Sequence, residues 1–256
     1  MVEDEVRDIS AVDLSNRVSV KDPADCDICA ALKKTTMARI CVGKAGCRMK
    51  TETYLRFRAD HAVAMDAVWS EADETVIDSF GFLKVQSLCD SKDEYITRPD
   101  LGRRVSEETL MRINEQCIHN PDVQIIVGDG LSAPAIGANL SDIYPMLADG
   151  LKSEGYLLGD PIYVRYARVA VMDQISEVLN AKVTIILIGE RPGLATGESM
   201  SAYLAYESGT QKPESQRNVI SNIHKNGIPP VEAGAHIVSV VVKMIKEKTS
   251  GIDLKL

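Results

Sequence analysis

The strongest apolar run in the chain is Val-Thr-Ile-Ile-Leu-Ile, within the segment 182–188, and it stops at Gly189 in front of Glu190 and Arg191. A run of this kind, rich in β-branched residues and without polar alternation, predicts a strand buried on both faces, as in a parallel sheet. Ligands of open α/β sheets bind at the carboxyl ends of such strands, which makes Glu190 a candidate binding residue. The alternative is that Glu190 and Arg191 pair with each other or with solvent on a loop.

Hydrophobic periodicity predicts alternating strands and helices after residue 120. The predicted strands are 123–127, 161–171, 182–188 and 201–206. One predicted helix begins near Pro134, and three more cover 143–154, 173–179 and 231–245. This alternation is typical of the α/β class, so we predict a Rossmann-like C-terminal domain.

The region before residue 120 shows a different pattern. Helices are predicted for 27–36, 51–69 and 106–119, with one extended segment over 80–88. The first residues are rich in charge and carry only isolated apolar positions. The predicted organisation is therefore a flexible acidic tail at 1–22, a mainly helical N-terminal region at 23–119 and a Rossmann-like α/β domain at 120–256.

Composition narrows the classes of function. The 256 residues are 45% hydrophobic with a formal net charge of -8, and Lys and Arg are scattered, so no basic stripe is available for nucleic acid. No apolar run approaches the roughly 20 residues of a membrane span, and the N-terminus is too acidic for a signal peptide. We therefore expect a cytoplasmic protein with reduced cysteines and with neither nucleic acid nor membrane as a partner.

The residues alone leave the chemistry open. Glycines after the predicted strands would let the backbone approach a ligand near Glu190, and that carboxylate could accept hydrogen bonds. A hydrolase is the alternative, because Gly130-Leu-Ser132-Ala-Pro134 lies between a strand and a helix as a nucleophile elbow does. Its acid and base would be Asp142 or Asp173 and His224 or His236, which follow downstream in that order. The last residue of the motif is Pro instead of Gly, and Ser132 is explained more simply as a helix N-cap. No G-x-G-x-x-G motif follows any strand, which argues against a dinucleotide fold.

Six segments, taken together and in this order, carry a resemblance that covers the chain from about residue 30 to its end. They are 38–46, 98–104, 129–133, 165–169, 188–194, and Ile220-Ser-Asn-Ile223 followed by Pro230-Val-Glu-Ala233. Each motif is modest by itself, but jointly they are specific. The chain resembles the small (light) subunits of ethanolamine ammonia-lyase.

The resemblance implies a lyase that uses adenosylcobalamin to convert ethanolamine to acetaldehyde and ammonia by radical chemistry. In that family the large subunit carries the substrate site, the small subunit's α/β domain covers the cobalamin from the other side, and the hetero-oligomer often works inside a bacterial microcompartment. A subunit that keeps the fold but has lost cofactor contact is an alternative, non-catalytic reading.

The family's cobalamin-contacting positions match Val169, Glu190 and Val219 in this sequence. The departure at Val219, where some relatives carry Cys, puts a thiol-specific role there in doubt. No histidine of the chain has Asp two residues before it, so a histidine bound to cobalt would have to come from another chain. The resemblance favours the other mode, in which cobalamin keeps its own base as the lower axial ligand. The arginine-rich turn at 98–104 is the predicted contact with the large subunit, because guanidinium groups suit carboxylates at an interface.

Overall fold

The computed structural model describes residues 8–255 except 13, 15 and 37. The chain divides into two compact units, one comprising residues 1–66 with 193–197, the other 67–192 with 198–256. Residues 1–7 of the predicted acidic tail lie outside the described part. The predicted boundaries at 22 and 119 and the flexibility of the tail stay predictions.

Eight helices and eight strands occur among the described residues. The helices are α1 (Cys26–Lys34), α2 (Thr51–Trp69), α3 (Glu74–Asp78), α4 (Lys92–Thr97), α5 (Glu107–Gln116), α6 (Ala133–Ser153), α7 (Val171–Leu179) and α8 (Pro230–Glu247). The strands are β1 (Lys44–Ala45), β2 (Arg48–Met49), β3 (Leu83–Gln86), β4 (Val123–Gly128), β5 (Ile162–Arg165), β6 (Val183–Gly189), β7 (Met200–Tyr206) and β8 (Asn218–Ile223). None of the described helices is both long enough and apolar enough to cross a membrane.

One six-stranded sheet organises the second unit. Its order is β3-β5-β4-β6-β7-β8, with the first four strands parallel and β7 antiparallel to both β6 and β8. The α/β prediction is confirmed. The Rossmann-like prediction is confirmed only in part, because the parallel half is extended by the antiparallel strands β7 and β8. Strand β3 lies within the region predicted as mainly helical and pairs with β5 in this sheet.

Two cores cover the two faces of the sheet. The first core packs α6 and α8 against Ile185, Leu187 and other inward residues, and the second packs α5 and α7 against Ile186 and Ile188. All seven residues of β6 are buried, as its apolar run predicts. Alternate side chains of β6 therefore enter opposite cores, which is why the sequence shows no polar alternation there.

The carboxyl ends of β4 and β5 are followed by helices on opposite faces of the sheet, because α6 leaves β4 on one face and α7 leaves β5 on the other. Asp129 joins these ends by accepting hydrogen bonds from the backbone N–H groups of Tyr166 (2.9 Å) and Ala167 (3.0 Å). These bonds hold Tyr166 at φ +57°, in the left-handed region. The prediction of a strand over 161–171 is therefore wrong after Arg165, because the N–H groups of Tyr166 and Ala167 donate to the Asp129 side chain and not to a neighbouring strand.

Helix α6 is a second correction. Separate helices were predicted from Pro134 and over 143–154, but one helix runs from Ala133 to Ser153 with Pro145 inside it. Proline in a helix interior costs about 3 kcal/mol. Leu140, Ile143 and Leu147 are fully buried on either side of Pro145, and burying such side chains contributes about 2 kcal/mol each. Tertiary packing thus outweighs the local break.

The first unit is organised by charge more than by apolar burial. Asp60, which is 9% exposed, lies 2.7 Å from Arg56 Nε and 2.6 Å from Arg39 Nη2. Among the described residues of this unit, Ala64 is the only buried hydrophobic residue. Ile28 and Leu55 are each more than half exposed. An apolar core of its own is therefore nearly absent from this unit.

The loop after β4 crosses the end of β6 at backbone distance. A Cβ atom added to Gly189 would lie 2.0 Å from the carbonyl oxygen of Ser132 and 2.5 Å from that of Asp129. Gly130, at φ +60°, would likewise place a Cβ 2.1 Å from the Gly189 oxygen. Only glycine permits this crossing, which is fixed by a 3.1 Å hydrogen bond from Leu131 N to Gly189 O.

Substituting Gly189 tests this crossing. We expect Gly189→Ala to lower the free energy of unfolding by ~3 kcal/mol, because the new Cβ meets backbone that cannot rotate away. Gly137→Ala is the matched control: this helical glycine has nothing within 4 Å of its added Cβ, and alanine there should stabilise by roughly 0.5–1 kcal/mol. Urea unfolding measures both changes, and equal stabilities for the two variants would contradict the close crossing.

Candidate functional site

Glu190 leaves the sheet directly after β6 with a fixed backbone and a half-buried side chain. Its N–H donates to the carbonyl oxygen of Ser199 at 2.9 Å, and its Oε1 accepts a 3.1 Å hydrogen bond from the hydroxyl of Tyr203. Arg191 is exposed, and within the described residues it forms no ion pair with Glu190. The alternative of a Glu190–Arg191 pair is therefore not what the structure shows.

Tyr203 is the residue at this site that sequence reasoning missed. It lies on β7 between Ile186 of β6 and Val219 of β8, and its side chain packs against the second core. Burial, together with the negative charge of Glu190, raises the pKa of Tyr203 to about 12, so its hydroxyl keeps its proton. Alternation in β7 could have placed Tyr203 on one face, but not beside a particular carboxylate.

Val219 occupies the edge strand β8 and is 51% exposed. It lies directly opposite Tyr203, whereas its neighbour Ile220 packs against the first core. Because successive side chains of a strand point to opposite faces, Val219 lies on the same face as Tyr203.

Val169 comes just before α7, at the carboxyl end of β5. Its half-buried side chain packs against the second core, which also includes Ile186, Ile188 and the ring of Tyr203. The structure thus places Val169, Glu190 and Val219, the three residues predicted to contact a cofactor, on one face of the sheet. In the described part of the chain, none of these three residues forms a hydrogen bond with another of the three. Tyr203 links two of them, because it donates to Glu190 and lies opposite Val219 in the sheet.

Comparison with known proteins decides the family. Residues 26–255 match the model of the ethanolamine ammonia-lyase light chain family (EutC). The ethanolamine ammonia-lyase small subunit of Clostridium acetobutylicum is 68% identical over 225 residues, which cover 88% of this chain and 93% of the relative. The chain belongs to the ethanolamine ammonia-lyase light chain family. The resemblance noted from the sequence is confirmed.

More distant relatives of the family carry the same description. The ethanolamine ammonia-lyase small subunit of Clostridium tetani is 51% identical over 98% of this chain and 85% of the relative. That of Listeria innocua is 48% identical over 100% of this chain and 87% of the relative. Family membership therefore extends over the whole second unit and not only over the matched motifs.

A buried ion pair between Asp173 and Arg217 connects the elements next to Val169 and Val219. Asp173, one helical turn after Val169, accepts 2.5 Å hydrogen bonds from Ser208 Oγ and Arg217 Nη2. Arg217 lies two residues before Val219, and its side chain is 10% exposed. The pair therefore ties the beginning of α7 to the beginning of β8.

The arginine-rich turn packs beside the same site. Gly102 is buried there, its carbonyl oxygen accepts from Arg168 N at 2.7 Å, and an added Cβ would meet Arg168 Cγ at 2.8 Å. Arg98 instead holds Asp100 through two hydrogen bonds, of 3.0 Å and 2.8 Å. The turn thus supports the loop that carries Val169, and its role at a subunit interface stays a prediction.

The hydrolase alternative gains no support from the geometry. Ser132 is fully buried at the start of α6, so its hydroxyl is not open to a substrate. His224 is engaged in its own loop, where Nε2 lies 2.8 Å from Asn222 Oδ1 and Nδ1 accepts from Asn226 N at 3.3 Å. Neither group is arranged as a nucleophile or as a base.

Removing Arg217 tests the buried pair. Burial raises the pKa of the Asp173 carboxyl, against the opposing effects of Ser208 and Arg217. A raised folded-state pKa means that stability present below the unfolded pKa is lost as the pH rises through the folded pKa. Arg217→Ala should raise that pKa further, so we expect it to lower the free energy of unfolding by ~3 kcal/mol at pH 7 and by less below about pH 4.

The control for this variant is Arg103→Ala. Arg103 lies 3.8 Å from Glu214 in an ion pair whose side chains are 55% and 66% exposed, so its loss should change stability by less than about 0.5 kcal/mol. Denaturation of both variants across about pH 3–8 is the measurement. A deficit in Arg217→Ala that does not vary with pH would contradict the electrostatic account.

Proposed function

We propose that this chain is the small subunit of an adenosylcobalamin-dependent ethanolamine ammonia-lyase, which converts ethanolamine to acetaldehyde and ammonia by radical chemistry. In this proposal the large subunit carries the substrate site, and this chain supplies one wall of the cobalamin site. The hetero-oligomer works in the cytoplasm, within a bacterial microcompartment. The observation that carries the proposal is the common face shared by Val169, Glu190 and Val219 in a member of this family.

The residues on this face fit a corrin ring. The rim of a corrin carries primary amides, and a partly exposed carboxylate such as Glu190 can accept their hydrogen bonds with charge-assisted strength. Val219, which is 51% exposed, and the half-buried Val169 offer apolar contact and backbone polar groups at the margins of the same face. A carboxylate acceptor beside apolar side chains suits a large, flat ligand with an amide-bearing edge.

The contribution of this chain to the reaction is binding, orientation and exclusion of water. Adenosylcobalamin, when bound, supplies radical-generating chemistry through its cobalt–carbon bond. Glu190 would fix the rotation of the ring by holding one amide, and Val169 and Val219 would cover its face against solvent. No side chain of this chain is assigned a proton transfer or a bond to cobalt.

A partner subunit also accounts for the exposed apolar side chains of the first unit. Ile28 and Leu32, one turn apart on α1, are 57% and 49% exposed, and Tyr54 and Leu55 of α2 are 49% and 51% exposed. Apolar side chains grouped in this way are typical of surfaces that another protein covers. The relatives are named small subunits, which implies a large one. We therefore assign this unit to a contact with the large subunit. The turn at 98–104, in the second unit, is a separately predicted contact.

Reconstitution tests the proposed function. Co-expression of this chain with its large subunit should give acetaldehyde from ethanolamine only when adenosylcobalamin is added, because neither chain alone encloses the cofactor. The measurement is acetaldehyde formed by the complex and by each chain separately. Full activity from the large subunit alone would refute the role proposed for this chain.

Truncating Glu190 tests the binding wall. We expect Glu190→Ala to weaken cobalamin binding to the complex by about 1–2 kcal/mol, the scale of a hydrogen bond to a charged group. Glu232→Ala, which removes an exposed carboxylate from α8, is the matched control and should leave affinity unchanged. Spectroscopic titration with cobalamin measures both. Equal affinities for wild type and Glu190→Ala would favour the alternative of a subunit without cofactor contact.

A further inference from the structure

The pair formed by Tyr203 and Glu190 has a defined direction. The hydroxyl donates to Oε1 across 3.1 Å, and within the described residues Oε2 accepts no hydrogen bond. A carboxylate has no proton to donate, and the one proton of the hydroxyl is already committed. The pair therefore presents only acceptors to a ligand: Oε2 and the oxygen of the hydroxyl.

Packing holds this arrangement in place. Tyr203 lies on the central strand of an antiparallel triplet, opposite Ile186 and Val219, and its ring is packed against the second core. The backbone of Glu190 is fixed by its bond to Ser199 O, and the preceding Gly189 is held by Leu131 N. Both ends of the hydrogen bond thus belong to rigid elements, as an oriented acceptor requires.

On the basis of the proposed function, we infer that Tyr203 is a positioning residue that orients Glu190, and that the pair selects a corrin edge carrying a primary amide over one carrying a carboxylate. A primary amide can donate to Oε2. A carboxylate at the same place would face like charge and leave both groups without a donor. Sites built to bind an N–H group discriminate strongly against analogues that lack it.

A double-mutant cycle tests the positioning role. The complex of this chain and the large subunit is prepared as wild type, Tyr203→Phe, Glu190→Ala and the double variant, and the Kd for cyanocobalamin is measured by equilibrium dialysis. Tyr203→Phe keeps the ring and removes only the hydroxyl. We expect it to raise the Kd roughly 3- to 10-fold in the wild-type background and less than about twofold in the Glu190→Ala background, where the hydroxyl has lost its acceptor.

The control is Tyr206→Phe, on the same strand but packed against the first core, which should leave the Kd unchanged. Equal effects of Tyr203→Phe in both backgrounds would overturn the inference, since the tyrosine would then act without Glu190. An unchanged Kd in Tyr203→Phe beside a raised Kd in Glu190→Ala would also overturn it. A complex that binds no cobalamin in any form would instead overturn the proposed function.

A separate binding experiment tests the selectivity for an amide over a carboxylate. The probes are the monocarboxylic acids of cyanocobalamin, in each of which one peripheral amide is hydrolysed. We expect one of them to bind the wild-type complex roughly 10- to 100-fold more weakly than cyanocobalamin, and this ratio to shrink in Glu190→Gln, whose amide can donate to a carboxylate. Equal affinity of the wild-type complex for all these corrinoids would overturn the selectivity.

Discussion

The close crossing of the β4 loop over the end of β6 determines where the candidate site can form. At Gly189 and Gly130 the two backbones approach so closely that an added Cβ would lie about 2 Å from a carbonyl oxygen. Because β6 is buried along its whole length, this crossing fixes the end of a rigid strand. The next residue, Glu190, therefore leaves the sheet at a set position with its backbone bonded to Ser199.

Buried carboxylates connect the loops around that point. Asp129 binds the backbone after β5, and Asp173 binds the side chains of Ser208 and Arg217. In both cases burial raises the pKa, because desolvation opposes the charged form, and hydrogen bonds offset part of that effect. Breaking such a network leaves an uncompensated buried charge, which is why these ties specify the loop positions so strongly. They act as fixed connections between elements far apart in sequence.

The resulting face is open on one side, which suits a protein that contributes half of a binding site. Glu190, Tyr203 and Val219 are all partly exposed, although each stands on a well-packed strand or at its end. A rigid platform loses little entropy when a ligand and a second protein close over it. The first unit exposes apolar side chains on α1 and α2.

The sequence by itself determined the local features: the buried strand ending at Glu190, the α/β alternation after residue 120 and, through six motifs, the family. Those follow from periodicity and from short segments, which are local properties. The tertiary structure alone decided that α6 continues through Pro145, that the strand after Pro161 stops at Arg165, and that Tyr203 faces Glu190. Each of these depends on partners far away in the chain. The hydrophobic periodicity predicts which face of a strand a side chain occupies. Cross-strand register and burial energy decide which residues it contacts on that face.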